Sequence, residues 1–314
     1  MINRELIRLK LVQVLYSHLQ KGSHNPDASE KELLLSLDKA YDLYNYMLLL
    51  MVEVGRMSVR MFEVYQNRSK KLNDGIQWSR KFVDNRFILQ LESNKQLRAY
   101  CDEQALSWAD HEDFVRNLYY KVEESDFYKE YMASETSTYE EDREVWRLIY
   151  RRLIVDNEEL SDLLEDINVY WNDDKTIVDT FVLKTINRFT SESNSAFPLM
   201  PEYKSDTDRD FATKLLRRAI TGHEYFCSLI GSNTRGWDPN RIALMDRIIL
   251  QLGLAEITTF PNIPISVSIN EYVEIAKMYS TPKSGKYVNA TLDTIAKQLM
   301  EEGKLVKNEQ NSNK

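Results

Sequence analysis

Apolar residues recur at intervals of three and four along most of the chain, and the two-residue alternation of strands is scarce. The pattern therefore predicts an all-α protein. Leu6, Leu9, Val12, Tyr16 and Leu19 mark the apolar face of a first helix over 3–19, which Gly22-Ser23-His24-Asn25-Pro26 ends. Ser29 and Glu32 have capping-box spacing and predict the start of a long helix reaching Gln66. The polar stretch 70–84, with Asn73-Asp74-Gly75, reads as a loop. Helical spacing resumes over 86–131, and 134–141 reads as a linker. Beyond 206, Thr207, Asp208 and Asp210 supply helix-start chemistry, and Asp238-Pro239 supplies an N-cap with proline at the first helical position. Ser268 and Glu271 form a second capping-box pattern. A last helix runs from Ser284 or Gly285 to Leu299, with Val288, Leu292, Ile295 and Leu299 as its core stripe, and a polar tail follows from Lys304.

Residues 142–183 resemble a degenerate copy of 208–250. Asp142-Arg143 matches Asp208-Arg209, Arg151-Arg152 matches Arg217-Arg218, and Ile154 matches Ile220. Glu158 matches Glu224, Leu163 matches Leu229, and Trp171 matches Trp237, all at an offset of 66. A one-residue shift then aligns Asp179 with Asp246 and Leu183 with Leu250. Each copy reads as helix–turn–helix with the tryptophan in the turn, which suggests a duplicated unit. Chance similarity between two amphipathic helix pairs is the alternative.

With 314 residues the chain can bury a sizeable core, and its eighteen tyrosines make aromatic packing a large part of it. No apolar run approaches the length of a membrane span, and the start of the chain has no signal-peptide pattern. Cys101 and Cys227 lack metal-ligand spacing and read as reduced core residues, which points to the bacterial cytoplasm. Net charge is −8, which argues against a general nucleic-acid coat, but the charge is uneven. Residues 1–22 carry +3, 206–314 carry +1 and 23–205 carry −12, so an RNA site would be built from the two ends. His18, His24, His111 and His223 are scattered, and there is no phosphate-binding glycine loop. The chain reads as a non-enzyme that calls for no cofactor or metal.

The most specific motifs lie near the end: Ile263-Pro264, then Ile269-Asn270-Glu271, Ala276-Lys277, Ser284-Gly285-Lys286-Tyr287-Val288-Asn289 and Leu292-Asp293. Upstream, Arg4, Arg8, Gln13, Leu15-Tyr16 and Ser17 form one set. Arg209-Asp210, Asp246-Arg247-Ile248-Ile249-Leu250 and Leu254-Ala255-Glu256 form others. In order and spacing this chain resembles the NusB family over residues 1–22 and 206–300. It departs from the family pattern at Tyr287 (commonly Phe), Ala290 (commonly Gly) and Glu5 (commonly basic). The resemblance implies a pair of small helical bundles, with 1–22 as the first helix, 206–303 as the core, 304–314 as a tail and 23–205 as a large helical insertion. The insertion reads as a second helical layer or a partner surface.

The resemblance also implies a transcription antitermination factor. Such a protein would bind boxA-type single-stranded RNA with the ribosomal protein NusE and join the elongating RNA polymerase on ribosomal RNA operons. Homodimers occur in the family. Single-stranded RNA calls for cations against phosphates and for rings or amides against bases. The candidates are Arg4, Arg8, Gln13, Tyr16, Lys283, Lys286, Tyr287 and Asn289. Asp246 and Glu256 are the candidates for the NusE-facing side. Several have a structural alternative: a surface bridge from Arg8 to Glu5, core packing for Tyr16, packing under the insertion for Tyr287, a backbone bond for Asn289, and an intramolecular bridge for Asp246 and Glu256, such as Asp246 to Arg241 or Arg247. Two other functions stay open. One is a protein-interaction scaffold that has lost RNA affinity. The other is an accessory subunit of an RNA-modifying enzyme.

Overall fold

The computed structural model describes residues 1–22, 25–73, 75–136, 138–171, 173–233, 243–281, 283–305 and 307. Among these it has fourteen α-helices, and its only extended pairing is an isolated bridge between Ile2 and Tyr203. The Trp237 turn, the Asp238-Pro239 start, His24, Asp74, Arg241 and the end of the tail fall outside the described residues. Contacts divide the chain into two units. Unit one comprises Met1 and 38–202, and unit two comprises 2–37 and 203–314.

Unit two is built around α1 (Arg4–Gln20) and α12 (Leu244–Thr259). Asn3 caps α1 by accepting the Leu6 amide at 2.9 Å. Leu6, Leu9 and Val12 are buried as the spacing predicts, but so are Ile7, Leu11, Val14 and Leu15. The second apolar row makes α1 a central helix rather than a one-faced surface helix. Around this pair lie the first part of α2 (Pro26–Leu72), α10 (Asp206–Thr221), α11 (His223–Asn233), α13 (Ile265–Tyr279) and α14 (Ser284–Glu301). The α14 stripe Val288, Leu292, Ile295 and Leu299 is buried as expected.

Both capping-box readings need correction. α2 starts at Pro26, where proline's missing N–H costs nothing, and Asn25 accepts the Asp27 amide at 3.0 Å. Ser29 therefore lies inside the helix, with its hydroxyl 2.7 Å from Nδ1 of His18. Likewise α13 starts at Ile265, which puts Ser268 and Glu271 within the helix. The cysteine reading holds for Cys101, whose thiol burial pushes up to about 12. It fails for Cys227, which is exposed on α11.

Unit one contains the rest of α2, then α3 (Arg86–Ser93), α4 (Lys95–Glu103), α5 (Glu112–Glu124), α6 (Asp126–Ala133), α7 (Tyr139–Ile149), α8 (Glu158–Ile167) and α9 (Lys175–Arg188). Its core is aromatic. Tyr46 stacks on Trp108 at 4.2 Å and leans on Trp171 at 5.3 Å, and Phe82 stacks on Trp146 at 5.2 Å. Buried Asp179 accepts from Lys175 Nζ at 2.8 Å and from the Tyr150 hydroxyl at 2.6 Å, so the interior charge is paired. α7 begins inside the stretch read as a linker, at a capping box that sequence reading passed over. Glu141 Oε2 accepts the Thr138 amide at 2.9 Å, and Thr138 Oγ1 accepts the Glu141 amide at 3.2 Å. Hydrogen bonds from Thr136, the Thr138 backbone and Ser134 hold the exposed Glu141 carboxyl down to about 2. A depressed carboxylate contributes stability above its unfolded value and loses it as pH falls through the folded one. Glu141→Gln is therefore expected to flatten the acid limb of stability between about pH 4.5 and 2, as read by denaturant melts across that range.

Segments 142–183 and 208–250 each run through three helices, α7, α8 and α9 in the first and α10, α11 and α12 in the second, where the sequence suggests a helix–turn–helix pair. A further likeness lies upstream of each. In unit two, Asn3 caps α1 and the adjoining Arg4 pairs at 3.3 Å with buried Asp208 in the first turn of α10. In unit one, Asn85 caps α3 and the adjoining Arg86 pairs at 2.8 Å with buried Asp142 in α7. The Asn-Arg dipeptide and the aspartate perform the same task in both units: the arginine at a helix start latches a second helix start.

Candidate nucleic-acid interface

The first question is which candidate cations remain at the surface. Arg8 does not. It is 3% exposed, and its guanidinium forms a fork to Glu256 with both bonds at 2.8 Å and a further bond to Glu271 at 2.9 Å. Glu256 is fully buried and also accepts from Ser268 at 2.7 Å and Tyr272 at 3.0 Å. Burial alone would lower the Arg8 pKa, but the hydrogen bonds and charge of Glu256, aided by Tyr272 and Glu271, raise it above its ordinary value. Burial drives the Tyr272 phenol well upward, with the Glu256 charge in support. A bidentate pair with its remaining lone pairs satisfied is how a buried charge is tolerated. Arg8 is thus corrected from RNA contact to interior strut, and Glu256 from partner contact to its counter-ion.

Asp246 is corrected as well. It is buried near the start of α12, where Oδ2 accepts the Ser284 hydroxyl at 3.0 Å. Ser284 Oγ also lies 2.9 Å from Thr281 Oγ1 and 3.0 Å from Ser280 Oγ. Asp246 therefore anchors the turn between α13 and α14 from beneath.

What this anchor holds out is the start of α14. In Ser284-Gly285-Lys286-Tyr287-Val288-Asn289, Ser284, Gly285 and Val288 are buried, Lys286 and Asn289 are exposed, and Tyr287 is half-buried. Gly285 lets α14 approach α13, since a Cβ there would lie 3.1 Å from Lys277 Cγ. Lys283 and Lys286 are exposed and form no ion pair among the described residues. No side chain caps α14, leaving a helix N-terminus of the kind that favours phosphate. Burial raises the Tyr287 phenol, opposed by a hydrogen bond with Thr291 and aided by the Asp246 charge. Asn289 turns elsewhere, into a groove of 550 Å³ between α13 and α14 lined by Ile265, Ile269, Ala296 and Met300.

On α1, Gln13 Nε2 donates to the Tyr279 hydroxyl at 3.0 Å, which ties its side chain to the end of α13, four residues before Lys283. Tyr16, one turn further on the same side of α1, is 40% exposed rather than packed in the core. Arg4 is 43% exposed, but it pairs with Asp208 and lies 5.0 Å over the Phe211 ring. At 1.5 Å per residue it sits about 13 Å along α1 from Gln13. Gln13, Lys283, Lys286 and Tyr287 thus gather around the α13–α14 turn, while Arg4 stands apart. Sequence reasoning missed Tyr279, Ser268 and Tyr272. Ser268 and Glu271 did carry a signal, because their three-residue spacing also puts them on one helix face.

The NusB family model matches residues 182–297. The transcription antitermination protein NusB of Salinibacter ruber is 37% identical over 108 residues, covering 34% of this chain and 68% of that protein. The chain belongs to the NusB family. NusB of Methylacidiphilum infernorum is 42% identical over 90 residues, covering 29% of this chain and 63% of its own. NusB of Chloroherpeton thalassium is 35% identical over 99 residues, 32% of this chain and 47% of its own. The chain thus spans between about half and two thirds of the length of these relatives. A solved structure of T. maritima NusB is 26% identical and covers 50% of this chain and 95% of its own, with a TM-score of 0.30. The NusB motifs of this chain lie within unit two.

Proposed function

We propose that this chain is a transcription antitermination factor that binds boxA-type single-stranded RNA at the start of α14, together with NusE, within an elongating polymerase complex on ribosomal RNA operons. One observation carries the reading. Two exposed lysines, Lys283 and Lys286, with no ion pair among the described residues, flank an uncapped helix N-terminus beside the half-exposed Tyr287 ring, supplying phosphate and base contacts in one place. Gln13 and Tyr16 extend that surface onto α1, and Arg4 and Asn289 are peripheral to it.

The scaffold reading draws on the α1 cations: Arg8 is internal and Arg4 is already paired. Fluorescence anisotropy of a labelled boxA-type RNA, titrated with and without NusE, separates the two. Binding that tightens with NusE supports the antitermination reading. NusE capture with no RNA binding moves the protein to the scaffold class.

A further inference from the structure

Unit one is acidic overall, yet one short stretch reverses the sign. Between Arg68 and Lys81 stand five basic residues and one aspartate. Here α2 ends at Leu72 and the chain folds back along its last turns. Ser69 Oγ donates to the Ile76 carbonyl at 3.2 Å, and Trp78 stacks on Tyr65 with ring centroids 4.8 Å apart. Tyr65 is itself fixed, donating its hydroxyl to Glu123 at 2.8 Å. One face of the indole is therefore held by a rigid ring, and Trp78 remains 42% exposed. Lys70 and Trp78 line the same cleft of 490 Å³.

The cations divide into two groups. Arg80 forms a fork to Asp84, with bonds of 2.9 and 2.7 Å, and Lys81 Nζ donates to the Ser134 and Thr136 carbonyls at 2.8 and 2.7 Å. Arg68, Lys70 and Lys71 are exposed and have no ion pair among the described residues. Lys70 and Lys71 suit the negative end of the α2 dipole, but their ammonium groups still face solvent.

An exposed, pre-oriented ring bordered by unpaired cations is the arrangement that tracks single-stranded nucleic acid: bases stack and phosphates pair. We infer that the Arg68–Trp78 segment is a second single-stranded RNA contact, with Trp78 stacking on a base and Arg68, Lys70 and Lys71 on the backbone. This rests on the RNA-binding reading of the chain but uses a different unit and different residues. RNA longer than the boxA element would be its ligand.

The full chain is titrated with a boxA-type RNA of about twelve nucleotides, with the same RNA flanked on both sides by oligouridine, and with oligouridine alone. The wild type is expected to bind the flanked probe about tenfold more tightly than the short one. Trp78→Ala and, separately, Lys70→Glu/Lys71→Glu should erase that gain and leave short-probe affinity unchanged. Removing two phosphate contacts should also lower the salt slope on the flanked probe by about 1.4. The lysine variant guards against a folding defect at Trp78. If neither variant changes binding to the flanked probe or to oligouridine, the inference is overturned. It is equally overturned if they lose only binding to polyglutamate, which would mark an acidic protein partner. If the wild type does not bind the short probe while its oligouridine binding is lost in Trp78→Ala, the α14 reading falls and this one stands.

Discussion

Glu256→Ala is expected to destabilise the protein by about 3–5 kcal/mol, the cost of stranding one partner of a buried ion pair. Glu256 is fully buried and accepts four hydrogen bonds, two from Arg8 and one each from Ser268 and Tyr272. Without it, the ion pair left to Arg8 among the described residues is the one to Glu271, at the edge of solvent. The pair joins α1 to α12, two helices 248 residues apart in sequence. Replacing both partners, as Arg8→Met/Glu256→Leu, should recover most of the loss, because apolar groups of similar size remove the unpaired charge. Denaturant melts of the two variants measure both effects. Similar losses in the single and double variants would show that the helices depend on the charges themselves.

The second large effect concerns RNA. Lys283→Glu/Lys286→Glu/Tyr287→Ala is expected to weaken boxA-type RNA binding at least about a hundredfold at low salt. Two phosphate contacts become repulsive and one stacking ring is lost, the ring alone counting for about 1–3 kcal/mol. The slope of log affinity against log salt should become shallower by about 1.4. Both lysines are exposed and form no ion pair among the described residues, so their replacement should change folding little. Arg8→Ala, in contrast, should reduce RNA binding only as far as it reduces the folded population. Anisotropy titrations paired with thermal melts distinguish the two kinds of loss.

Legibility in the sequence followed the range of the interaction. The α14 stripe and the short motifs at its start are local, and helical spacing placed them correctly. The pattern Ser-x-x-Glu is local too, but it has two physical uses. At Ser29 and Ser268 the hydroxyls serve tertiary partners, His18 and Glu256, inside helices that had already begun. At Thr138, with Glu141, the pattern is a true cap, yet it lay in a stretch whose polarity read as a linker. Arg8 failed for a different reason. As a helix residue it resembles Arg4, and only the fold reveals that Glu256 and Glu271 enclose it while Arg4 meets Asp208 at the rim. The matched Asp142 and Asp208 were visible as a likeness between two segments. The Asn-Arg latch could not be seen, because Asn85-Arg86 and Asp142 lie more than fifty residues apart.

The central claim is that RNA meets this protein at the turn between α13 and α14. Hydrogen–deuterium exchange of the full chain with and without boxA-type RNA tests it most directly. The account predicts new protection in peptides spanning residues 279–289 and on α1 around Gln13 and Tyr16. Unchanged exchange across that turn, with RNA bound and protection elsewhere, would contradict it.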